Sequence, residues 1–238
     1  GTYNASSLNT ILIKSADLDA DGIKDLVVLG VGGTRTITRL LGTSTGSYSA
    51  PATIVSGNIN SANFEVGDLN GDTYPDVAFG YAGSNPSMNL CFNNNGSTFT
   101  VNQILEPSTT SQTFAGTIVD LTNDGKLDLV NSNWDSESIS FHLGIGNGSF
   151  AAPIMLYSIS GPSKIIPLDL NKDGLNDLAV LGSWRNVVLL LNNTPYLGLV
   201  GGVSCVGSTA ILQATKGASS YIWSPNLSSS DTMAITTS

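Results

Sequence analysis

Four times along the chain the same nine-residue acidic pattern returns: Asp17-Leu-Asp-Ala-Asp-Gly-Ile-Lys-Asp25, Asp68-Leu-Asn-Gly-Asp-Thr-Tyr-Pro-Asp76, Asp120-Leu-Thr-Asn-Asp-Gly-Lys-Leu-Asp128 and Asp169-Leu-Asn-Lys-Asp-Gly-Leu-Asn-Asp177. The first aspartates of successive copies are 51, 52 and 49 residues apart. The four windows hold 13 of the 18 acidic side chains, so acidity belongs to the motif and not to the surface at large. A repeat of this length is one supersecondary unit, and its neighbours stack to bury a shared core.

A second marker keeps the same period. Gly46-Ser-Tyr48, Gly96-Ser-Thr-Phe99 and Gly148-Ser-Phe150 each set a small flexible pair before an aromatic, and Gly1-Thr-Tyr3 fits the pattern, as if the chain began inside a repeat. Gly and Ser suit a hairpin turn, and the aromatic opens a strand. Short apolar runs precede and follow each acidic window ("ILIKSADL" and "LVVLG", "KIIPLDL" and "LAVLG"), and further runs such as "TITRLL" and "VVLLL" come next. Each repeat therefore reads as four short strands with tight turns, and helical periodicity is missing throughout. Four strands per unit of about 50 residues predict an all-β chain of β-propeller blades, each a four-stranded antiparallel sheet. An irregular β-sandwich is the alternative.

Carboxylates packed this densely need a counter-charge. Oxygen donors at positions 1, 3 and 5, a Gly at 6, a backbone carbonyl at 7 and an acid at 9 make an oxygen cage suited to Ca2+, which takes six to eight oxygens at about 2.3–2.6 Å. The predicted ligands are Asp17, Asp19, Asp21, Ile23 (carbonyl) and Asp25; Asp68, Asn70, Asp72, Tyr74 (carbonyl) and Asp76; Asp120, Thr122, Asp124, Lys126 (carbonyl) and Asp128; and Asp169, Asn171, Asp173, Leu175 (carbonyl) and Asp177. That is up to four Ca2+ ions. An EF-hand needs Glu at position 12, where Val28, Phe79, Asn131 and Val180 stand instead. Mg2+ would keep more water, and a transition metal would recruit His or Cys, which these loops lack. The expected order of affinity is first ≥ fourth > second > third, because Thr73 replaces the Gly of the second loop and Thr122 is a poor ligand. Such ions are expected to staple strands together more than to take part in recognition. Leu at position 2 of every copy points into the blade.

The net charge of −9, with nine scattered Lys and Arg, argues against a nucleic-acid partner. No apolar run is long enough to span a bilayer. Cys91 and Cys205 are too far apart in sequence to indicate a disulfide framework.

The acidic loops, their spacing and the Gly-Ser-aromatic turns resemble FG-GAP/VCBS repeats, the units of integrin-α-like propellers and of many bacterial surface proteins. The resemblance covers residues 1–195 and implies a propeller, usually seven-bladed, with calcium in several blades. With four motifs, the chain is either part of a larger propeller or a smaller variant. The fourth repeat has no clear Gly-Ser-aromatic strand after "VVLLLNNT", and the N-terminal "GTYNAS" is the expected donor of that strand. Residues 196–238 read as a linker and a truncated Ig-like segment, with Trp223 as its core aromatic; "VGSTAILQATKGASSYIWSPN" resembles the start of an Ig-like repeat in adhesins of type IX-secreting bacteria.

No catalytic centre is expected. His142, the one histidine, alternates with Ile139, Phe141 and Leu143 as a packed strand residue would, and a nucleophile elbow is missing. Asp135 and Glu137 beside Trp134 form a close acid pair, read as a solvated loop with a sugar-binding or acid–base patch as the alternative. Trp134 and Trp184 read as blade-packing residues, with sugar platforms as the alternative. The sequence thus predicts a secreted or cell-surface, calcium-binding module for adhesion or for binding a carbohydrate or protein ligand. An accessory or catalytic part of a secreted polysaccharide-degrading enzyme, or an architectural spacer, are the alternatives.

Overall fold

The computed structural model describes residues 9–31, 35–57, 59, 63–81, 87–105, 113–157, 159–183, 186–192, 199–205 and 208–212. All regular structure among them is β, and no helix is long and apolar enough to cross a membrane. Blade one holds β1 (Asn9–Ala16), β2 (Asp25–Val31), β3 (Arg35–Leu40) and β4 (Ala52–Gly57). Blade two holds β5 (Phe64–Gly67), β6 (Asp76–Tyr81), β7 (Ser87–Asn94) and β8 (Thr98–Leu105). Blade three holds β9 (Thr113–Val119), β10 (Asp128–Asn133), β11 (Ser138–His142) and β12 (Ile154–Tyr157). Blade four holds β13 (Lys164–Leu168), β14 (Asp177–Leu181), β15 (Val187–Asn192), β16 (Leu199–Cys205) and β17 (Ser208–Leu212). Strands within each blade pair in chain order and antiparallel, the up-and-down meander of a propeller blade.

The blades stack in sequence. The first strands β1, β5, β9 and β13 lie side by side, and three apolar cores fill the spaces between neighbouring blades. Ala16, Leu18, Val27 and Leu29 of blade one meet Phe64, Val77, Phe79 and Cys91 of blade two. Leu69, Ala78, Met88 and Leu90 meet Leu129 of blade three. Val119, Leu121, Val130, Ile139 and Phe141 meet Ile165, Leu178, Val180 and Leu190 of blade four. A sheet buried on both faces should read as a continuous apolar run, not as alternation, which is why "LVVLG" and "LAVLG" do. Each large side chain fully buried here stabilises the fold by about 1.5–3 kcal/mol. Among the described residues no core joins blade four back to blade one.

Two expectations need correction. In blades one and three the Gly-Ser-aromatic marker does not open a strand: Tyr48 and Phe150 make isolated bridges to Gly42 and Gly144, and the strands start later, at Ala52 and Ile154. Pro51 and Pro153 stand between, and neither can donate to a ladder. In blade four the edge of β15 is paired by β16, in register from Val187↔Ser204 to Asn192↔Leu199. The N-terminal "GTYNAS" is therefore not what pairs there; those residues, like Trp184, Trp223 and most of the Ig-like segment, lie outside the described ones. The described part of that segment, β16 and β17, continues the fourth sheet.

Candidate metal centres in the interstrand loops

Each acidic window connects the first strand of its blade to the second, at the same end of the structure. The loops share one backbone path with left-handed residues at positions 4 and 6: Ala20 (φ 62) and Gly22 (φ 85), Gly71 (φ 80) and Thr73 (φ 75), Asn123 (φ 55) and Gly125 (φ 81), Lys172 (φ 63) and Gly174 (φ 86). The Gly expected at position 6 in the second loop has moved to position 4, where an added Cβ would come within 2.9 Å of the Gly146 carbonyl oxygen. Thr73 then takes the left-handed conformation with a β-branched side chain, a strained combination.

The acids divide into two groups. Those at position 9 turn inward: Asp25, Asp76, Asp128 and Asp177 are at most 1% exposed. One oxygen of each accepts the N–H of the Leu at position 2, from Leu18 (2.6 Å), Leu69 (2.9 Å), Leu121 (2.8 Å) and Leu170 (2.8 Å). The other accepts a backbone N–H at or just past the end of the third strand, from Gly42 (2.6 Å), Asn93 (2.8 Å), Gly144 (2.8 Å) or Asn192 (2.6 Å). This carboxylate is a clasp that ties the loop to a chain segment 15–17 residues further on. The sequence reading marked it only as a ligand. Burial pushes Asp76 up to about 7 against the pull of the two N–H donors, and raises Asp128 for the same reason.

The acids at positions 1 and 5 stay at the surface. Asp17, Asp68, Asp120 and Asp169 each accept N–H bonds from the turn, as Asp17 does from Asp21 (3.1 Å) and Gly22 (2.9 Å). Asp21, Asp72, Asp124 and Asp173 each accept the N–H of position 7. In the first loop, oxygens of Asp17, Asp19 and Asp21 lie within 4.8 Å of one another. Asp19 Oδ1 is buried there without a hydrogen-bond partner. Desolvation, followed by the charges of Asp25 and Asp21, raises the Asp19 pKa. A buried acceptor with no donor, amid three like charges and only oxygen ligands, fits a hard cation.

The other loops are poorer versions. In the second and fourth, the Asn70 and Asn171 amides donate to Asp72 (3.0 Å) and Asp173 (2.8 Å). In the third, Lys126 Nζ sits 3.2 Å from Asp124, and the Lys126 backbone N–H together with its side chain lowers the Asp124 pKa. That loop carries part of its own counter-charge.

The following blade holds each of the first three loops from outside. Asn93 Nδ2 donates to the Leu18 carbonyl (2.7 Å), Gly148 N to that of Leu69 (3.2 Å), and Asn192 Nδ2 to that of Leu121 (2.7 Å). Gly96 lies so close to Asp19 that a Cβ there would be 2.4 Å from the Asp19 Cβ.

At the opposite end of β10 the candidate patch around Trp134 takes shape. Trp134 is 37% exposed and its ring edges against Gly161, while Glu137, at φ 47, accepts from Ser160 Oγ (3.2 Å). Asp135 is exposed beside them. His142 is buried at 1% exposure on the blade-three face that meets blade two. Cys91 is a free thiol in the core between blades one and two, with burial pushing it up to about 12.

Meandering four-stranded blades with an acidic loop between their first two strands define a β-propeller of repeat type. The model of the FG-GAP-like repeat matches residues 17–79 and 120–180, and the chain belongs to that family. No curated protein matches it. Among solved structures it is similar to BBS1N in a crystal structure with ARL6DN, soaked with lead, at TM-score 0.54 and 16% identity over 87% of this chain and 62% of that one. It also aligns, at TM-score 0.49 and 16% identity, with an Agrocybe aegerita lectin whose structure concerns recognition of non-reducing terminal N-acetylglucosamine; that alignment covers 76% of this chain and 62% of the lectin. The chain thus spans less than two thirds of either protein, and the likeness to BBS1N, at this identity, is one of fold alone.

Proposed function

We propose that the chain is a calcium-stapled propeller module, secreted or displayed at a bacterial cell surface, that binds a carbohydrate or protein ligand without catalysing a reaction. The observation that carries the calcium reading is the Asp17–Asp19–Asp21 cluster with its unpartnered, buried Asp19 Oδ1. Exposed loops with few preformed ligands suit the millimolar Ca2+ found outside cells. The Trp134–Glu137–Ser160 patch supports a sugar-binding surface, since an aromatic face with adjoining hydrogen-bonding groups is the usual chemistry of such contacts. Burial of His142 between blades supports a binding role over acid–base chemistry.

The test is thermal unfolding in millimolar Ca2+, in excess EGTA, and in Mg2+. A rise in Tm with Ca2+ alone, lost in Asp19→Asn, is the expected result; equal melting curves in all three would remove the calcium reading. A glycan array probed with wild type and Trp134→Ala tests the ligand surface. Binding that survives the substitution unchanged would place the ligand elsewhere.

A further inference from the structure

The acidic loops are tied to one another in a pattern that repeats every two blades. Where each clasp acid finds its second N–H donor, blades one and three carry Gly42 and Gly144, and blades two and four carry Asn93 and Asn192. The flanking sequence alternates in step: Leu41-Gly42 and Leu143-Gly144 lead on to Ala50-Pro51 and Ala152-Pro153, whereas Asn93 and Asn192 are each followed by a second Asn. Blades one and three need glycine because the carbonyl at loop position 8 lies against it. A Cβ on Gly42 would stand 2.6 Å from the Lys24 oxygen, and one on Gly144 would meet the Leu127 oxygen closer still. Blades two and four leave room for a side chain, which binds that carbonyl instead. Asn93 Nδ2 donates to the Pro75 oxygen and Asn192 Nδ2 to the Asn176 oxygen, both at 3.2 Å.

Each asparagine also reaches back to the preceding loop. Asn93 Nδ2 donates to the Leu18 carbonyl (2.7 Å), between Asp17 and Asp19, while its Oδ1 accepts the Gly96 N–H (2.7 Å). Asn192 Nδ2 donates to the Leu121 carbonyl (2.7 Å), between Asp120 and Thr122, and Asn176 Nδ2 adds a bond to the Asp120 carbonyl (3.0 Å). Both asparagines are buried. One residue thus holds the peptide between the first two ligand positions of one loop and, through its own N–H, the clasp acid of the next. Among the described residues nothing of the kind joins the second and third loops. There the Gly148 N–H reaches the Leu69 carbonyl at 3.2 Å, while a different residue, Gly144, holds the Asp128 clasp. Left-handed Gly146 and Gly148 lie in the hairpin that separates the two.

We propose that the loops take up cations in two coupled pairs, the first with the second through Asn93 and the third with the fourth through Asn192, while the second and third act independently. The inference rests on the calcium reading of the loops. When Asp17 and Asp19 hold an ion, the Leu18 peptide between them is fixed, and with it the Asn93 amide. Fixing Asn93 steadies the N–H on Asp76 and the amide on Pro75, so the second loop has less ordering left to do on binding. Each pair joins a fuller ligand set to a poorer one. The first loop, with acids at positions 1, 3 and 5, supports the second, with Asn70 and Thr73; the fourth supports the third, with Thr122 and Lys126. Coupling is reciprocal, so the weaker loop strengthens its partner by the same factor.

The test is a Ca2+ titration followed by amide NMR of the 15N-labelled chain at physiological salt. Gly22, Gly71, Gly125 and Gly174 report the four loops separately, because each donates its N–H to the first Asp of its own loop. Asp19→Asn is expected to raise the Ca2+ midpoint at Gly22 and, about fivefold, at Gly71, with Gly125 and Gly174 unchanged. In Asn93→Ala, with folding checked by a thermal melt in EGTA, the Gly71 midpoint should no longer respond to Asp19→Asn. Asp72→Asn, an exposed substitution that leaves Asn93 in place, should raise the Gly22 midpoint by the same factor and carries the test if Asn93→Ala does not fold. A Gly71 midpoint indifferent to Asp19→Asn, a response that survives Asn93→Ala, or a Gly125 shift equal to that of Gly71 would each overturn the coupling while leaving calcium binding intact. Four glycines that all ignore Ca2+ would instead remove the calcium reading, and the coupling with it.

Discussion

Replacing Asp25 separates the two jobs of the acidic loop. Its carboxylate is fully buried and accepts backbone N–H groups from Leu18 and Gly42, both at 2.6 Å. Hydrogen bonds to a charged acceptor contribute about 1.5–3 kcal/mol each, and removing the acceptor leaves two buried donors unsatisfied. Asp25→Ala should therefore cost about 3–5 kcal/mol. Asp25→Asn keeps one acceptor and turns an amide NH2 toward the other donor, and should cost about 2 kcal/mol. For a chain of this size the alanine variant should melt about 10 °C lower. The decisive comparison is urea unfolding in EGTA, where no calcium contributes. If the clasp is structural, the loss persists there, whereas Asp19→Asn has little effect in EGTA and acts only when Ca2+ is present. If Asp25→Ala in EGTA costs less than about 1 kcal/mol, the carboxylate is only a ligand and the clasp argument fails.

Three further outcomes follow from the loop geometry. Thr73→Gly relieves a β-branched residue at φ 75 and should raise stability by about 1 kcal/mol in denaturant titration, whereas Gly71→Ala two residues away should lower it by meeting the Gly146 carbonyl. Gly96→Ala should weaken calcium binding at the first loop, measured by calorimetry, because its Cβ would drive into Asp19 from the neighbouring blade. Lys126→Ala frees Asp124 from its ammonium and should strengthen cation binding at the third loop, read by terbium luminescence; unchanged luminescence would show that the ion pair does not compete.

Much of this was legible because it is periodic. The spacing of Asp17, Asp68, Asp120 and Asp169 led directly to four blades, and three of the four position-2 leucines, Leu18, Leu69 and Leu121, are core as expected, while Leu170 is only half-buried. The clasp was hidden because a pattern of acids at alternate positions treats every acid alike. What sets position 9 apart is its place at the first residue of a buried strand, and donors 15–17 residues away in Gly42, Asn93, Gly144 and Asn192. Local spacing cannot express that partnership. The left-handed turn at position 4 was hidden for a related reason: Ala20, Asn123 and Lys172 share no side-chain feature, and only Gly71 betrays the backbone. The strand that completes blade four was misassigned because β16 lacks the Gly-Ser-aromatic marker, and pairing with β15 needs none.

The division of labour within the loop also bears on how a bound Ca2+ would act. If all five predicted ligand positions faced the ion, the loop would have no internal hold in its absence, and the fold would depend on metal as small zinc domains do. Here the position-9 clasp, the turn bonds onto Asp17 and its counterparts, and the bond from the next blade to the position-2 carbonyl are all made by the protein itself. The chain should consequently be folded in EGTA, with the exposed acids repelling one another. Calcium would then add only its binding linkage, about 2.7 kcal/mol for a site at a hundredfold excess over Kd. The first loop should show most of this gain, because it alone combines three acids with an unpartnered oxygen. Far-UV circular dichroism in EGTA checks the argument: a β spectrum with a cooperative melt agrees with it, and an unfolded spectrum would mean that the ion, not the clasp, holds the blades.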